Sequence, residues 1–553
     1  MKGIKIACRV VMFAVLFCLL LLQVQNLVTP NWDWPDFWGR TNKSVNGFLN
    51  EGKNTLDVLW LGTSHTQCGI SPMYIYEQSG IRSYNLATSS QPLLLSYHRL
   101  KSAFRRQSPK VVFLDASACY YSSVSNDAET RWLKTINSLP MSSLVEKAET
   151  ALDMPVSSGK TDEFSKTVSA VFPIMRFHSN YMADEKAYLD LHLDQPYPQK
   201  GIAITTKIKA IASRDTDIDE FFDSEEEEEE LTESEAKERM IIETKFNGNQ
   251  DNLNRILDLC RANNCALVMM KMPVVSSTTG ASAAWSPEKH QVMKDWCDKQ
   301  NVEFLDLNYV DLDLDWQLES CDGGKHLNLR GAEKVSRYLS DWLMERYTFE
   351  DSADRKTLDA WNSQLEIFNI ERKNYNLQMV MDMAEYLDSL KSGNYTVLSA
   401  VCAPAEENRD AGLIESFREL TGTDDALEMI WQEQPDTAYV SVSSNGVLID
   451  RQMDTDSAEV TGTLPDGTWF KVQGKSAKNE RTGSIVIGDT EMAVKGQGAC
   501  FVVYDNDMGS VVDSVLFKTQ LEGCPSKHGF NYESSFRVKL IDYENRLLTG
   551  KAS

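Results

Sequence analysis

Five short apolar runs constrain this chain more than any other feature: Leu56 to Leu61, Tyr84 to Ala87, Val111 to Asp115, Ala266 to Met270 and Val302 to Leu307. They lack the strict alternation of a strand with one face in water. Amphipathic stretches lie between and after them, at Leu93 to Phe104, Asn252 to Ala262, Pro287 to Lys299 and Gly331 to Tyr347. Strands that are apolar throughout must be covered on both faces, and intervening helices provide that cover when the strands run parallel. The prediction is an α/β fold with a doubly wound parallel sheet. One core stops growing at about 250 to 300 residues, so a chain of 553 residues must hold more than one domain.

Beyond the sheet region, Ser352 to Leu390 is charged and reads as helical, without a Pro/Gly break until Gly393. The remainder is rich in Thr, Val and Gly, with strand candidates at Ala438 to Val442, Thr468 to Val472, Ser484 to Ile487, Cys500 to Tyr504 and Ser510 to Phe517. The expected organisation is therefore an anchor at 1–30, an α/β domain at 31–348, a helical linker at 349–392 and a mainly β domain at 393–553. Between Asp215 and Glu238 fourteen acids face a single base, Lys237. Such a run repels itself and is expected to be a solvated loop. It lacks the alternating Asp/Asn and Gly spacing of a calcium loop, so no metal is expected there.

Lys2, Lys5 and Arg9 precede an unbroken apolar run from Val10 to Leu22, which fades towards Val28. That length can just cross a bilayer, and no small-x-small cleavage site follows it. An uncleaved signal anchor is expected. With the bases before it, the positive-inside rule puts the body outside the cytoplasm.

Lys plus Arg number 56 and Asp plus Glu 81, a net charge of −25, which would repel a phosphate backbone and excludes nucleic acid as an expected partner. Eleven cysteines cannot form a complete disulfide framework, and Cys260 and Cys265 lack zinc-site spacing. They read as buried thiols, and no cofactor is expected.

The first strand ends in Gly62-Thr63-Ser64-His65. In a doubly wound sheet the carboxyl ends of the strands line the ligand crevice, so Ser64 stands where a nucleophile would. A turn serine that caps a helix is the plainer alternative. At the other end of the domain, Asp322-Gly323-Gly324-Lys325-His326-Leu327-Asn328 precedes the last helix. A His there can offer one ring nitrogen to a nucleophile and the other to a carboxylate. A packed His beside a capping Asn328 is the alternative. His65 is a rival base, although adjacent residues at a turn usually point apart. His178 and Asp115 complete the polar candidates.

These two blocks resemble the SGNH/GDSL-type hydrolase superfamily, and within it the DltD-like and alginate O-acetylation-like extracytoplasmic proteins, over roughly residues 54 to 347. The resemblance implies an SGNH-like, flavodoxin-like sheet with Ser64 as nucleophile, His326 as base and Asp322 as its orienter. Two features depart from the family. The Asp commonly sits three residues before the His, where this chain has Gly323, and there is no Gly-x-Asn-Asp block. Asn85, ending the second strand, is the best substitute oxyanion donor beside the Ser64 backbone N–H, unless its amide satisfies the turn instead.

In the last part of the chain, Val502-Val503-Tyr504-Asp505 and Asp513-Ser514-Val515-Leu516-Phe517-Lys518-Thr519 are similar to the interleukin-like EMT inducer domain, related to carbohydrate-binding stem domains. Together the resemblances imply acyl transfer or removal, most simply of acetyl groups, on a cell-surface glycan, beside a membrane-bound O-acyltransferase. A catalytically inert glycan-binding scaffold is the alternative.

Overall fold

The computed structural model describes residues 2–28, 41–121, 128–154, 163–178, 199–211, 233–275, 283–349, 353–402, 411–422, 428, 437–476, 481–518 and 526–529. Two compact units divide the chain, residues 1–368 and 369–553.

The first unit opens with α1 (Lys2–Val28) and α2 (Thr41–Asn50). Twenty-seven helical residues rise about 40 Å, enough to cross a hydrocarbon layer of about 30 Å. Cys8–Gln25 is apolar enough to do so, and Val10, Phe13 and Leu20 are 61, 70 and 66% exposed, unlike the residues of a core helix. The foot of α1 is tied down, because Gln25 is buried and its side-chain carbonyl accepts the Ile174 N–H at 2.8 Å.

The sheet and its helices follow as β1 (Val58–Leu61), α3 (Ser64–Gly69), α4 (Pro72–Ser79), β2 (Ser83–Asn85), α5 (Leu93–Phe104) and β3 (Val111–Asp115). Next come α6 (Ala128–Ser138), α7 (Leu144–Leu152), α8 (Glu163–Val171), α9 (Ile174–Phe177) and α10 (Glu233–Ala262). The unit continues with β4 (Ala266–Lys271), α11 (Pro287–Gln300), β5 (Glu303–Asp306), α12 (Leu329–Arg346) and the start of α13 (Arg355–Leu377). All five strands pair in parallel, in the order β2-β1-β3-β4-β5. That is a flavodoxin-like doubly wound order, with its switch point between β1 and β3. Val58, Trp60, Val111, Phe113, Val268 and Met270 pack with Val335, Leu339, Trp342 and Leu343 of α12, and the alternate strand residues are buried too. Both faces are covered, which is why the strands read as continuous apolar runs.

Most of the acidic run expected as a loop, its residues 215–232, lies outside the described residues; its last part does not form a loop, because α10 begins at Glu233 and takes in Glu233 to Glu238.

The second unit holds the rest of α13, then α14 (Met383–Leu390), β6 (Tyr395–Cys402), α15 (Ala411–Thr421), β7 (Ala438–Ser444), β8 (Val447–Asp454), β9 (Ser457–Thr463) and β10 (Trp469–Lys475). It ends with β11 (Thr482–Ile487), β12 (Thr490–Glu491), β13 (Gly498–Asp505), β14 (Ser510–Phe517) and β15 (Ser526–His528). Two antiparallel sheets result, β15-β14-β13-β6-β7-β8 and β12-β11-β10-β9. In the larger sheet β6, β13 and β14 are buried on both sides, whereas β8 at one edge is mostly exposed. Val397, Val401, Phe501 and Val503 face Leu377, Tyr386, Leu387 and Phe417 of the helices. Leu398, Ala400, Cys500 and Val502 face Val460, Phe470, Val472 and Ile485 of the smaller sheet. Residues 383–390, inside the stretch expected as linker, thus form part of this core.

Candidate active site

Ser64 stands at the start of α3, directly after the carboxyl end of β1. The turn before it is pinned from β3: Thr63 Oγ1 donates to Asp115 Oδ2 at 2.7 Å, while Asp115 Oδ1 accepts the Ser117 N–H at 2.9 Å. Gly62 has φ +151°, and a Cβ there would meet Asp115 Cβ at 2.4 Å, so only glycine lets the turn close against β3. Ser64 is not a helix cap, since the cap position belongs to Thr63 and the Ser64 hydroxyl is engaged elsewhere.

Its partner arrives from 262 residues away. His326 Nε2 lies 2.8 Å from Ser64 Oγ, and His326 Nδ1 lies 2.5 Å from Asp322 Oδ2. One tautomer satisfies both contacts, with Nδ1–H donating to the carboxylate and Nε2 accepting from the serine hydroxyl. The structure therefore brings Ser64, His326 and Asp322 into one hydrogen-bonded chain.

Asp322 reaches the ring from four residues upstream because the intervening turn is wound through two left-handed glycines, Gly323 at φ +86° and Gly324 at φ +99°. Ser320 Oγ accepts the N–H groups of Gly323 and Gly324 at 3.1 and 2.6 Å. A bridge between Ser320 and Leu327 closes the loop. Space is tight as well, since a Cβ on Gly324 would stand 2.7 Å from Val275 Cβ. This winding brings a carboxylate four residues upstream onto the ring. Burial disfavours the Asp322 charge, but the hydrogen bond from the His326 ring, the ring's electrostatic influence, and the backbone N–H groups of His326 and Lys325 outweigh it and hold the carboxyl below its ordinary range. Asn328 also caps α12, with Oδ1 accepting from Arg330 and Gly331 N–H.

Asn85 is a correction. It is fully buried, its amide nitrogen donates to the carbonyls of Thr66 and Ile70 at 2.8 and 3.3 Å, and its Oδ1 accepts the Ala87 N–H at 3.1 Å. Both amide hydrogens are spent on backbone, so this side chain holds none for an oxyanion. Its sequence position, at the carboxyl end of β2, is shared by the two roles and could not separate them.

His65 does not take the base's place either. Its ring lies beside that of His326, with centroids 4.9 Å apart, and its Nδ1 lies 3.5 Å from Lys271 Nζ. Burial, followed by the electrostatic influence of Lys271, His326 and Lys325, pushes the His65 pKa well down, so it stays a neutral imidazole. His178 is exposed at the end of the single-turn α9, and Ser179 to Tyr181 lie outside the described residues. Cys260 and Cys265 are buried free thiols.

One residue of this region escaped the sequence reading. Lys271 closes β4, fully buried, with Nζ donating to the Met272 carbonyl at 2.8 Å and lying 5.5 Å from the Trp285 ring centroid. Burial lowers its pKa against the pull of the Asp115 and Asp306 carboxylates. A lone Lys ending Ala-Leu-Val-Met-Met-Lys was the available signal, because a charge that closes an interior strand faces the crevice side of the sheet. Among the described residues, no group of three His, Cys, Asp or Glu side chains is arranged to hold a metal ion.

No family model matches the chain, and no curated protein matches it. Among solved structures it is similar to a protein described as an acylhydrolase from Bacteroides fragilis, at 11% identity over 55% of this chain and 94% of that one, with a TM-score of 0.25. A second similarity is to a GDSL-like lipase from Bacteroides thetaiotaomicron, at 9% identity over 56% and 100% of the two chains, with a TM-score of 0.26.

Proposed function

We propose that this chain is a membrane-anchored, extracytoplasmic SGNH-type enzyme that transfers or removes acyl groups, most simply acetyl groups, on cell-surface glycans. The observation that carries the reading is the Ser64–His326–Asp322 chain, with contacts of 2.8 and 2.5 Å. In this reading Ser64 Oγ attacks the ester carbonyl while His326 takes its proton, and Asp322 stabilises the imidazolium that forms. The protonated His326 then donates to the departing alkoxide, leaving an acyl-serine. Water completes hydrolysis; a sugar hydroxyl completes transfer. The Ser64 backbone N–H, at the start of α3, supplies an oxyanion donor. The second unit serves as the glycan-binding module, as its likeness to interleukin-like EMT inducer domains implies. A membrane-bound O-acyltransferase is the natural partner if the reaction is transfer.

A serine-directed fluorophosphonate tests the nucleophile. The full chain in detergent should label at Ser64, and Ser64→Ala and His326→Ala should each abolish labelling. Unchanged labelling of Ser64→Ala would refute the assignment.

The commitment of the Asn85 amide to backbone favours a second reading, an inert glycan-binding scaffold that keeps a vestigial triad. Turnover of an aryl acetate that disappears in a folded His326→Ala variant excludes the scaffold.

A further inference from the structure

A tetrahedral intermediate on Ser64 carries an oxyanion, which several aligned donors stabilise better than one. The Asn85 amide, tied to the Thr66 and Ile70 carbonyls, is not among them. Another side chain at the same crevice has a hydrogen to give.

His65 follows Ser64 directly in α3, and its ring lies against that of His326, with centroids 4.9 Å apart and planes inclined by 49°. One edge of the ring is turned inward, where Nδ1 lies 3.5 Å from Nζ of the fully buried Lys271. Nε2 lies on the far side of the imidazole. Among the described residues it has no hydrogen-bond partner, and it stays open to solvent on a residue that is only partly buried.

Lys271 decides which nitrogen of that ring carries the proton. An ammonium has three hydrogens and accepts none. One goes to the Met272 carbonyl at 2.8 Å, and another reaches Nδ1 at the long end of hydrogen-bond range. The Asp115 and Asp306 carboxylates support the ammonium form against burial. Nδ1 therefore accepts, and the single hydrogen of the neutral ring sits on Nε2. A neutral imidazole of this kind can polarise a carbonyl without adding a charge beside the base.

From the place of this ring beside Ser64 and His326, its inner edge on Lys271 and its open Nε2, we infer that His65 is a catalytic residue whose Nε2–H is a second oxyanion donor, with Lys271 as the positioning residue that fixes its tautomer. The inference rests on the reading of Ser64 as nucleophile. No proton moves in this step: the hydrogen stays on Nε2, bonds the carbonyl oxygen as negative charge collects there, and is released when the carbonyl re-forms in the acyl-serine.

Turnover of an aryl acetate by the full chain in detergent tests it. His65→Phe keeps a ring against His326 without a donor, and kcat should fall about 10²–10³-fold with KM nearly unchanged. His65→Gln restores an N–H and should lie between His65→Phe and wild type. Histidine-selective nitrogen NMR at neutral pH should show, for the signal that His65→Phe removes, a protonated Nε2 and a bare Nδ1. Lys271→Met should mix the two tautomers of that signal and lower kcat. Should His65→Phe fail to fold, His65→Gln and the wild-type tautomer carry the test. Wild-type kcat in His65→Phe, no recovery in His65→Gln, or a wild-type ring protonated on Nδ1 would each overturn the inference. Turnover that survives Ser64→Ala would instead sink the nucleophile assignment, whereas turnover lost in Ser64→Ala but intact in His65→Phe sinks this inference alone.

Discussion

Two histidines show how differently the same side chain is used here. His326 bridges a hydroxyl and a carboxylate, an arrangement satisfied with Nδ1–H donating to Asp322 and Nε2 accepting from Ser64. Replacing Asp322 by Asn keeps the shape but not the charge, and should lower turnover of a small ester by about 10³–10⁴-fold. Tm should barely move, because the Asp322 side chain is 32% exposed. His528, in the second unit, instead lies between two acceptors: Nδ1 is 2.9 Å from the buried Asp513 carboxylate and Nε2 is 2.9 Å from the Val380 carbonyl. Only the doubly protonated ring donates to both. Burial opposes that form, but the Asp513 hydrogen bond and charge, with the Val380 carbonyl, raise its pKa above the ordinary 6.5. A raised folded pKa means stability present in full below the unfolded value of about 6.5 and lost as pH rises through the folded one. The Tm advantage of wild type over His528→Gln should therefore be largest near pH 5 and shrink on the alkaline side. An advantage that grows with pH would contradict this assignment.

At the level of elements, the Asp322 to His326 turn is the most demanding piece of backbone in the site. Gly323 and Gly324 share positive φ, but only Gly324 is also crowded, by Val275 and Ile211, whereas a Cβ on Gly323 would find nothing nearer than 3.7 Å. Ala at 323 should cost the backbone strain alone, about 1–2 kcal/mol. Ala at 324 should lose more Tm and much more fluorophosphonate labelling, because relief of the clash moves Asp322 and His326. Equal effects would mean that crowding does not hold the turn. Most strands were legible: β3 spans Val111–Asp115 as expected, and β1, β4 and β5 differ by a residue or two. In the second unit β6, β8, β9, β12 and β15 were not, although β6 is in the middle of the larger sheet. Tyr-Thr-Val-Leu-Ser-Ala-Val-Cys carries Thr396 and Ser399 among its apolar residues and is buried throughout, so neither alternation nor an unbroken apolar run announces it.

For the whole molecule, the division at 368 and 369 sharpens where a truncation should fall. Trp361 is buried in the first unit, 4.9 Å from the Tyr76 ring and 4.1 Å from Lys200 Nζ, and Tyr76 donates to Asn362 Oδ1 at 2.9 Å. A chain ending after Phe368 should retain turnover of a small soluble ester while losing action on polymeric glycan. A chain ending after Tyr347 should melt several degrees lower, since burying Trp361 is worth about 3–5 kcal/mol. Equal loss on both substrates after Phe368 would show that the second unit completes the fold or the site. The sequence by itself determined the α/β class, the mainly β character of the last part, the apolar N-terminal helix, and the two blocks holding Ser64 and His326. Each of these is written in local patterning: burial on both faces makes a strand apolar throughout, and turns demand their own residues. Only the tertiary structure decided which histidine meets Ser64, how Asp322 reaches the His326 ring from four residues upstream, that the Asn85 amide is consumed by backbone, and that Lys271 stands beside His65. Those outcomes depend on groups between 4 and 262 residues apart meeting within hydrogen-bond distance, which sheet order and loop winding set and local patterning does not record.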